Sequence, residues 1–541
     1  MPRETYSEVV TKFDWNDVRA ALGWSKSGKV SLATSIVDRH VGRDAPAMIW
    51  IGKDGANRLV SYRELSETSS RFANVLQRHG VRPGDRVAGL MPRVPEALIT
   101  ILGALKAGAI YVPVFTGFGP DAIRFRLDHS RTSFLVTHHE VRQQVPASVN
   151  VNILCVMGDS CSAASGDLDF WQAIDREPTS FSTVHSHRED IVSLIYTSGS
   201  TGQPKGGAIA VNFLAAVWPY IIYGLDLQNG DVFWPTGDPG WGYGFVCYLG
   251  ALAFGATLIA VQRNPSPETC LSVLERYGVT NLATTPTLLR GLMSLDETVV
   301  RSSPIRLRAI SSCGEPLNAK VVEFFQTAWN LTPMDHFGAT EFALPIGNYN
   351  ALDMTIKPGS MGLPSPGYRI AVIDETGYEL PNGQVGLLGR ASTADNRYWL
   401  RYWDDPQATC DIERNGWIVT GDLARRDDDG YFWFEGRVGD MIKSAGYRIG
   451  PFEVESALLR HPAVAEAAVV GKADALRGEI IKAWIVLRPG FHASDALSEE
   501  LAQMVKTSLG RHQHPREIEF IATLPKTETG KIQRFLLRRR G

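Results

Sequence analysis

The chain has 541 residues, 44% apolar and 21% charged, with 55 Lys and Arg against 58 Asp and Glu for a net charge of −3. That length predicts two or more domains of ordinary globular composition, and the near-balanced charge excludes a nucleic-acid binder that works through a broad basic surface; the basic run 534–540 is too short to change this. Six cysteines, at 155, 161, 247, 270, 313 and 410, form no Cys-x-x-Cys pair and keep no metal-ligand spacing with a histidine, the pattern of a reduced, cytoplasmic chain without structural zinc.

The N-terminus lacks the apolar core of a signal peptide, and no unbroken run of about 18 apolar residues predicts a membrane span. A hairpin is expected over 47–59. Ser61 is placed to cap a helix running to 79, with Glu64 three residues on to complete a capping box. Then come a strand at 86–91, a helix at 95–107 and a strand at 109–113, followed by strands at 134–137 and 152–156. After 192–196, a helix is expected over 212–223, with strands at 231–234, 258–261, 281–284 and 309–312. Strands alternating with helices predict parallel α/β layers. From about 360 to 436, short strands and turns predict a β-rich subdomain. Beyond a linker at 437–440, a helix at 454–460, strands at 464–471 and 480–487 and a helix at 498–509 form a small α+β unit. The expected fold class is α/β, with a large N-terminal domain over 1–438 and a small C-terminal domain over 439–541.

The stretch Val192 to Gly207 carries the densest chemistry. A short apolar strand runs into Thr197, Ser198, Gly199, Ser200, Thr201 and Gly202, with Lys205 and two more glycines behind. Glycines let backbone N–H groups turn to a ligand, hydroxyls add donors, and lysine adds a point charge. This reads as a polyphosphate cradle, although Lys205 lacks the following Ser or Thr of the nucleotide P-loop. Thr340 and Glu341 offer a hydroxyl and a hard oxygen ligand suited to Mg²⁺. Asp422, after Thr420 and Gly421, is of the type that accepts from the vicinal hydroxyls of a ribose. Gly314, Glu315 and Pro316 form a strand-end turn able to lie flat against a planar base.

In order and spacing these motifs resemble the adenylate-forming enzymes: acyl-CoA synthetases, peptide-synthetase adenylation domains and luciferases. Residues 35–40 and 461–487 look closest to the acetyl-CoA synthetase and medium-chain acyl-CoA synthetase branch. The resemblance covers nearly the whole chain and implies an ATP-dependent acid–CoA ligase. A carboxylate attacks ATP to give an acyl-adenylate and pyrophosphate; CoA thiol then displaces AMP. It implies Mg²⁺ on Glu341, and a nucleotide held by the 197–202 stretch, by Gly314, Glu315 and Pro316, by Asp335, His336, Phe337 and Thr340, and by Asp422, Arg437 and Arg448. Lys205, Thr340 and Lys531 carry catalysis, Lys531 by bridging the carboxylate and the α-phosphate.

The resemblance further implies an acyl pocket at Trp241, Gly242, Tyr243, Cys313 and Gly338, and CoA contacts at Gly446 and Lys506. The C-terminal domain is expected to be mobile about Gly439, where relatives carry Asp or Lys. Gly338 stands where acetate-specific enzymes carry a pocket-closing tryptophan, and Gly242 replaces a larger aliphatic residue. The expected acid is therefore larger than acetate: short branched, medium-chain or aromatic. Alternatives are acetate or propionate as the acid, a stand-alone enzyme loading a carrier protein, and, less favoured, a luciferase-like oxygenase or a nucleotide-binding pseudoenzyme. Expected partners are the acid, ATP and CoA, with a lysine acetyltransferase and deacetylase acting on Lys531.

Overall fold

The computed structural model describes residues 3–25, 28–158, 166–197, 204–444, 447–474, 477–509, 513–526 and 532–540, with the side chains of Lys443, Tyr447 and Arg448 outside this set. Two large sheets form the bulk of the N-terminal region. In the nine-stranded sheet, six strands run parallel in the spatial order Met334–Ala339, Ala309–Cys313, Asn281–Thr284, Val232–Pro235, Thr257–Val261 and Met48–Ile51. The expected hairpin is present at one edge, where Met48–Ile51 pairs antiparallel with Asn57–Val60.

The eight-stranded sheet places Ile110–Val114 beside Arg86–Leu90 and Ile191–Thr197. Ile191–Thr197 turns back antiparallel as Lys205–Ala210, which pairs in turn with Trp399–Tyr402. The apolar, helix-spaced sequences between the strands form the covering helices. Every residue of Pro95–Lys106 is buried, as befits a helix packed between layers.

Two local expectations need correction. Ser61 caps Tyr62–Arg78 by accepting from Glu64 N at 3.0 Å. The Glu64 side chain turns instead to Arg58, so the box is only half formed. The helix expected over 212–223 is regular only over Phe213–Pro219 and continues as a π-turn, Tyr220–Gly224. Pro219 has no N–H to donate, and its ring crowds the carbonyl four residues back. The next turn widens, and Leu225 N reaches back to Tyr220 O at 2.8 Å.

A third, smaller sheet supplies the β-rich subdomain: Ile370–Ile373, Gly386–Ala391, Trp417–Arg426 and Phe432–Arg437. The C-terminal unit has its own sheet and core, with Val464–Asp474 and Gly478–Leu487 packed against helices Pro451–Leu458 and Asp495–Leu509. It meets the larger region along Phe432–Arg437. Phe434 and Phe452 rings lie 6.1 Å apart, and Lys320 Nζ donates to Arg460 O at 2.6 Å. A side chain at Gly450 would come within 2.3 Å of Glu435 O, so glycine is what permits this close approach. No helix among the described residues is long and apolar enough to cross a membrane.

Candidate active site

Met334–Ala339 of the nine-stranded sheet ends in a hairpin that lies against the strand Lys205–Ala210 of the other sheet. The C-terminal end of a parallel strand is the usual place for a ligand in an open α/β sheet. Thr197, at the end of Ile191–Thr197, pairs with Lys205. Ser198, Gly199, Ser200, Thr201 and Gly202 lie outside the described residues.

Thr340 and Glu341 sit at the tip of a tight hairpin joining Met334–Ala339 to Ala343–Gly347. The turn is closed by Phe342 N on Ala339 O at 3.0 Å, and Ala343 takes φ +62°. A Cβ on Gly207 would lie 3.1 Å from Thr340 Cγ2, so the hairpin tip of one sheet touches the glycine-rich strand of the other. Glu341 is buried, and its Oε1 accepts from Tyr402 Oη at 2.7 Å. Burial raises its pKa, partly offset by the Tyr402 hydrogen bond. A buried carboxylate without a full countercharge is a fitting ligand for a divalent cation. The Lys205 ammonium lies over the Tyr402 ring, 5.3 Å from its centre.

Gly314 adopts φ +102° with open space around it, a left-handed turn that frees one face for a planar group. The Glu315 carboxylate is held from the side by Thr287 at 2.6 Å and Arg290 at 2.7 Å. Asp335 is buried. Its Oδ2 accepts from Leu317 N at 3.3 Å, while Oδ1 has no partner among the described residues. Burial pushes its carboxyl up to about 8, so at neutral pH it carries a proton and can donate. His336 is grouped with it in sequence but turns the other way. Its ring packs on Tyr220 at 5.0 Å, and burial holds it down at about 3. Only its backbone remains for a ligand. Phe337 packs beside Phe434, with ring centres 6.4 Å apart.

Asp422 and Arg437 come from the third sheet and face each other across paired strands. Arg437 Nε donates to Asp422 Oδ1 at 3.0 Å, and Thr420 Oγ1 donates to Oδ2. The carboxylate is 2% exposed while the arginine is 53% exposed. Asp422 foremost holds Arg437 above the usual guanidinium range.

The residues expected to form the acyl pocket divide. Trp241 packs on Phe115 and Phe118, at 5.6 and 5.9 Å. A Cβ on Gly242 would stand in ordinary van der Waals contact with Ile195 at 3.8 Å and Thr340 Oγ1 at 3.9 Å, so a methyl group fits there beside the Thr340–Glu341 hairpin without displacing its neighbours. The Tyr243 hydroxyl pairs with that of Tyr220 at 2.8 Å, and Cys313 is buried nearby in the same core. Gly338 does not open the space expected of it. A Cβ there would lie 2.4 Å from Ala343 O and 2.7 Å from Leu344 Cδ2. The strand bulges at this point, and the backbone and Leu344 occupy the vacated volume.

Lys531 and Gly446 lie outside the described residues, as does the Arg448 side chain. The flanks of Lys531 are well held: Lys526 bridges Ile532, and Gln533 N donates to Pro525 O at 2.9 Å. Arg534 grips both oxygens of Glu455 at 2.8 and 2.9 Å. The Glu315 carboxylate helps to raise the Arg534 pKa, so this end of the chain lies within electrostatic reach of the Gly314–Pro316 turn. Lys506 sits on the helix Asp495–Leu509 with its ammonium 3.4 Å from Gln503 of the same helix, and no described contact joins it to the site. Gly439 is exposed, with nothing within 4 Å of a would-be Cβ. Nothing in the sequence marks Tyr402 or Tyr220, whose partners Glu341 and His336 are remote in the chain, or Leu344, which reaches Gly338 only through the strand bulge.

The chain matches the family described as AMP-binding enzyme over residues 37–390, and the AMP-binding enzyme C-terminal domain over 453–531. It is 38% identical to the acetyl-coenzyme A synthetase of Bacillus subtilis (strain 168), over 99% of this chain and 95% of that protein. It is 33% identical to the mitochondrial acyl-coenzyme A synthetase ACSM3 of Homo sapiens, over 92% of this chain and 86% of that one. The crystal structure of Brucella canis acyl-CoA synthetase superimposes with a TM-score of 0.80 at 37% identity, covering 99% of both chains.

Proposed function

Because the chain belongs to the family of AMP-binding enzymes and is an ATP-dependent acid–CoA ligase, we propose that its three-sheet junction activates a carboxylic acid larger than acetate: short branched, medium-chain or aromatic. Acid oxygen attacks the α-phosphorus of ATP, forming an acyl-adenylate as the bond to pyrophosphate breaks. CoA sulfur then attacks the acyl carbon, and AMP leaves with the bonding electrons. The carboxylate is already a nucleophile, so the first step needs in-line geometry and charge neutralisation rather than a general base.

Lys205, Thr340 and the 197–202 stretch address the phosphates, and Lys531 bridges the carboxylate and α-phosphate. Asp422 and Arg437 hold the ribose, Asp335 and the Gly314–Pro316 turn receive the adenine, and Arg448 approaches the phosphate. Glu341 fits Mg²⁺, which when bound would neutralise phosphate charge. The C-terminal domain rotates about Gly439 between the halves, bringing Gly446 and Lys506 toward CoA. Acetylation of Lys531 by a lysine acetyltransferase would remove the charge that the first half needs.

The observation that carries the choice of acid is the bare glycine wall at 242, where a methyl would only just touch Ile195 and Thr340. One further methylene buried there is worth about 0.8 kcal/mol, so selectivity over neighbouring acids is shallow. Acetate or propionate is the second reading, favoured by the filled space at Gly338 and the bulk of Tyr243. The test is kcat/KM for pyrophosphate release over acetate, propionate, isobutyrate, hexanoate, octanoate and benzoate, with and without CoA. A maximum beyond propionate supports the reading. A maximum at acetate overturns it, and thioester formation that requires a carrier protein in place of CoA points to the carrier-loading alternative.

A further inference from the structure

Tyr402 ends the strand Trp399–Tyr402 and is 8% exposed. Its backbone is fixed on two sides: the residue pairs with Gly207, and its N–H donates to Thr409 Oγ1 at 3.0 Å. The Trp399 ring meets its ring edge-on at 5.3 Å. From this fixed position the side chain touches two groups that belong to different sheets. Its hydroxyl reaches Glu341 Oε1 at 2.7 Å, and its ring face lies under the Lys205 ammonium at 5.3 Å.

We propose that Tyr402 is a positioning residue that sets the Glu341 carboxylate and the Lys205 ammonium in one geometry for the metal-bound triphosphate. The proposal rests on the reading of Glu341 as a metal ligand. An ionised carboxylate only accepts, so the phenol must be the donor. With Oε1 occupied, the terminal torsion of Glu341, broad and nearly two-fold when free, is fixed, and Oε2 is left for the cation. The ring attracts the ammonium through its negative face, an interaction effective within about 6 Å. Without the phenol, the lysine and the carboxylate would be aligned only by packing between two separate sheets.

Two substitutions separate the two contacts. Tyr402→Phe keeps the ring and removes the hydroxyl; Tyr402→Leu removes both. The probe is Mn²⁺ with ATP, in the absence of acid and CoA, read as free Mn²⁺ by electron paramagnetic resonance. Nucleotide binding in EDTA is measured alongside. A hydrogen bond to a charged group supports an expected weakening of Mn²⁺·ATP binding by about tenfold in Tyr402→Phe. Its EDTA-state ATP affinity stays as in the parent, and the Mg²⁺ concentration for half-maximal adenylation rises by a similar factor. Tyr402→Leu loses metal-free ATP affinity as well.

A Tyr402→Phe protein with parental Mn²⁺·ATP affinity and parental Mg²⁺ dependence overturns the proposal. Glu341→Gln distinguishes the failures. If it too binds Mn²⁺·ATP as the parent does, the metal reading of Glu341 falls; if it loses binding while Tyr402→Phe does not, only the role of Tyr402 falls. Should Tyr402→Leu fail to fold, Tyr402→Phe decides alone.

Discussion

Arg437 Nε donates to Asp422 Oδ1 at 3.0 Å from directly across two antiparallel strands, with the carboxylate buried and the arginine half in solvent. The pair is held by protein groups alone. Strand register aims the arginine, and Thr420 occupies the second carboxylate oxygen. In the proposed site this pre-set carboxylate receives the ribose. Asp422→Asn is therefore expected to raise the KM for ATP by about tenfold, the scale of one hydrogen bond to a charged group. Steady-state kinetics at saturating acid check it; an unchanged KM would remove Asp422 from the nucleotide site.

The two pocket glycines make opposite predictions. A Cβ at Gly242 only touches Ile195 and Thr340, so Gly242→Ala should fold as the parent does and, by adding a side chain to that wall, shift kcat/KM toward acetate. Gly338→Ala forces a methyl against Ala343 O and Leu344, an overpacking that costs about 1–3 kcal/mol. Urea midpoints and acid panels for both variants check this. A Gly338→Ala protein as stable as the parent, with a narrowed acid range, would restore Gly338 as the residue that sizes the pocket.

Much of the fold was legible because its signals are local. Apolar runs punctuated by turns located most of the parallel strands to within a residue or two, and Gly314 fell at a strand end as expected, whereas the strand Met334–Ala339 that carries the Thr340–Glu341 tip was not foreseen. What was not legible depends on distant partners or on a local irregularity of the strand. The turn of His336 into the core follows from Tyr220, more than a hundred residues earlier. The filling of the Gly338 space comes from a bulge and from Leu344. Tyr402 looked like one more strand aromatic, since nothing in its neighbourhood names Glu341 or Lys205.

Glu435 gives the junction with the C-terminal domain a pH dependence. Burial, then the Glu453 carboxylate on the facing helix, push it from 4.5 up to about 7, overriding Arg425 at 2.8 Å. The folded protein therefore holds this proton more tightly than the unfolded chain. Its stabilising contribution is complete below about pH 4.5 and is lost as pH rises to about 7. Glu435→Gln should flatten that fall, gaining stability relative to the parent as pH increases across the window. Urea midpoints at intervals from pH 4.5 to 7.5 test it, and a parent that gains on the variant would contradict the assignment.

Gly439 requires neither a left-handed backbone nor close approach in this arrangement, so its freedom is available to a second one. Gly439→Pro should leave pyrophosphate exchange within about twofold and slow thioester formation from added acyl-adenylate by about tenfold or more, since proline fixes φ. Equal rates in the second half would place the hinge elsewhere.

In the proposed reaction one site runs two chemically distinct halves, and Lys531 serves only the first. The direct measurement is Lys531→Ala assayed separately for acid-dependent pyrophosphate exchange and for conversion of supplied acyl-adenylate to acyl-CoA. Loss of one preorganised charge typically costs about 10²–10³ in rate; that loss is expected in exchange, with thioester formation retained. An equal loss in both halves, or none in exchange, would contradict the account.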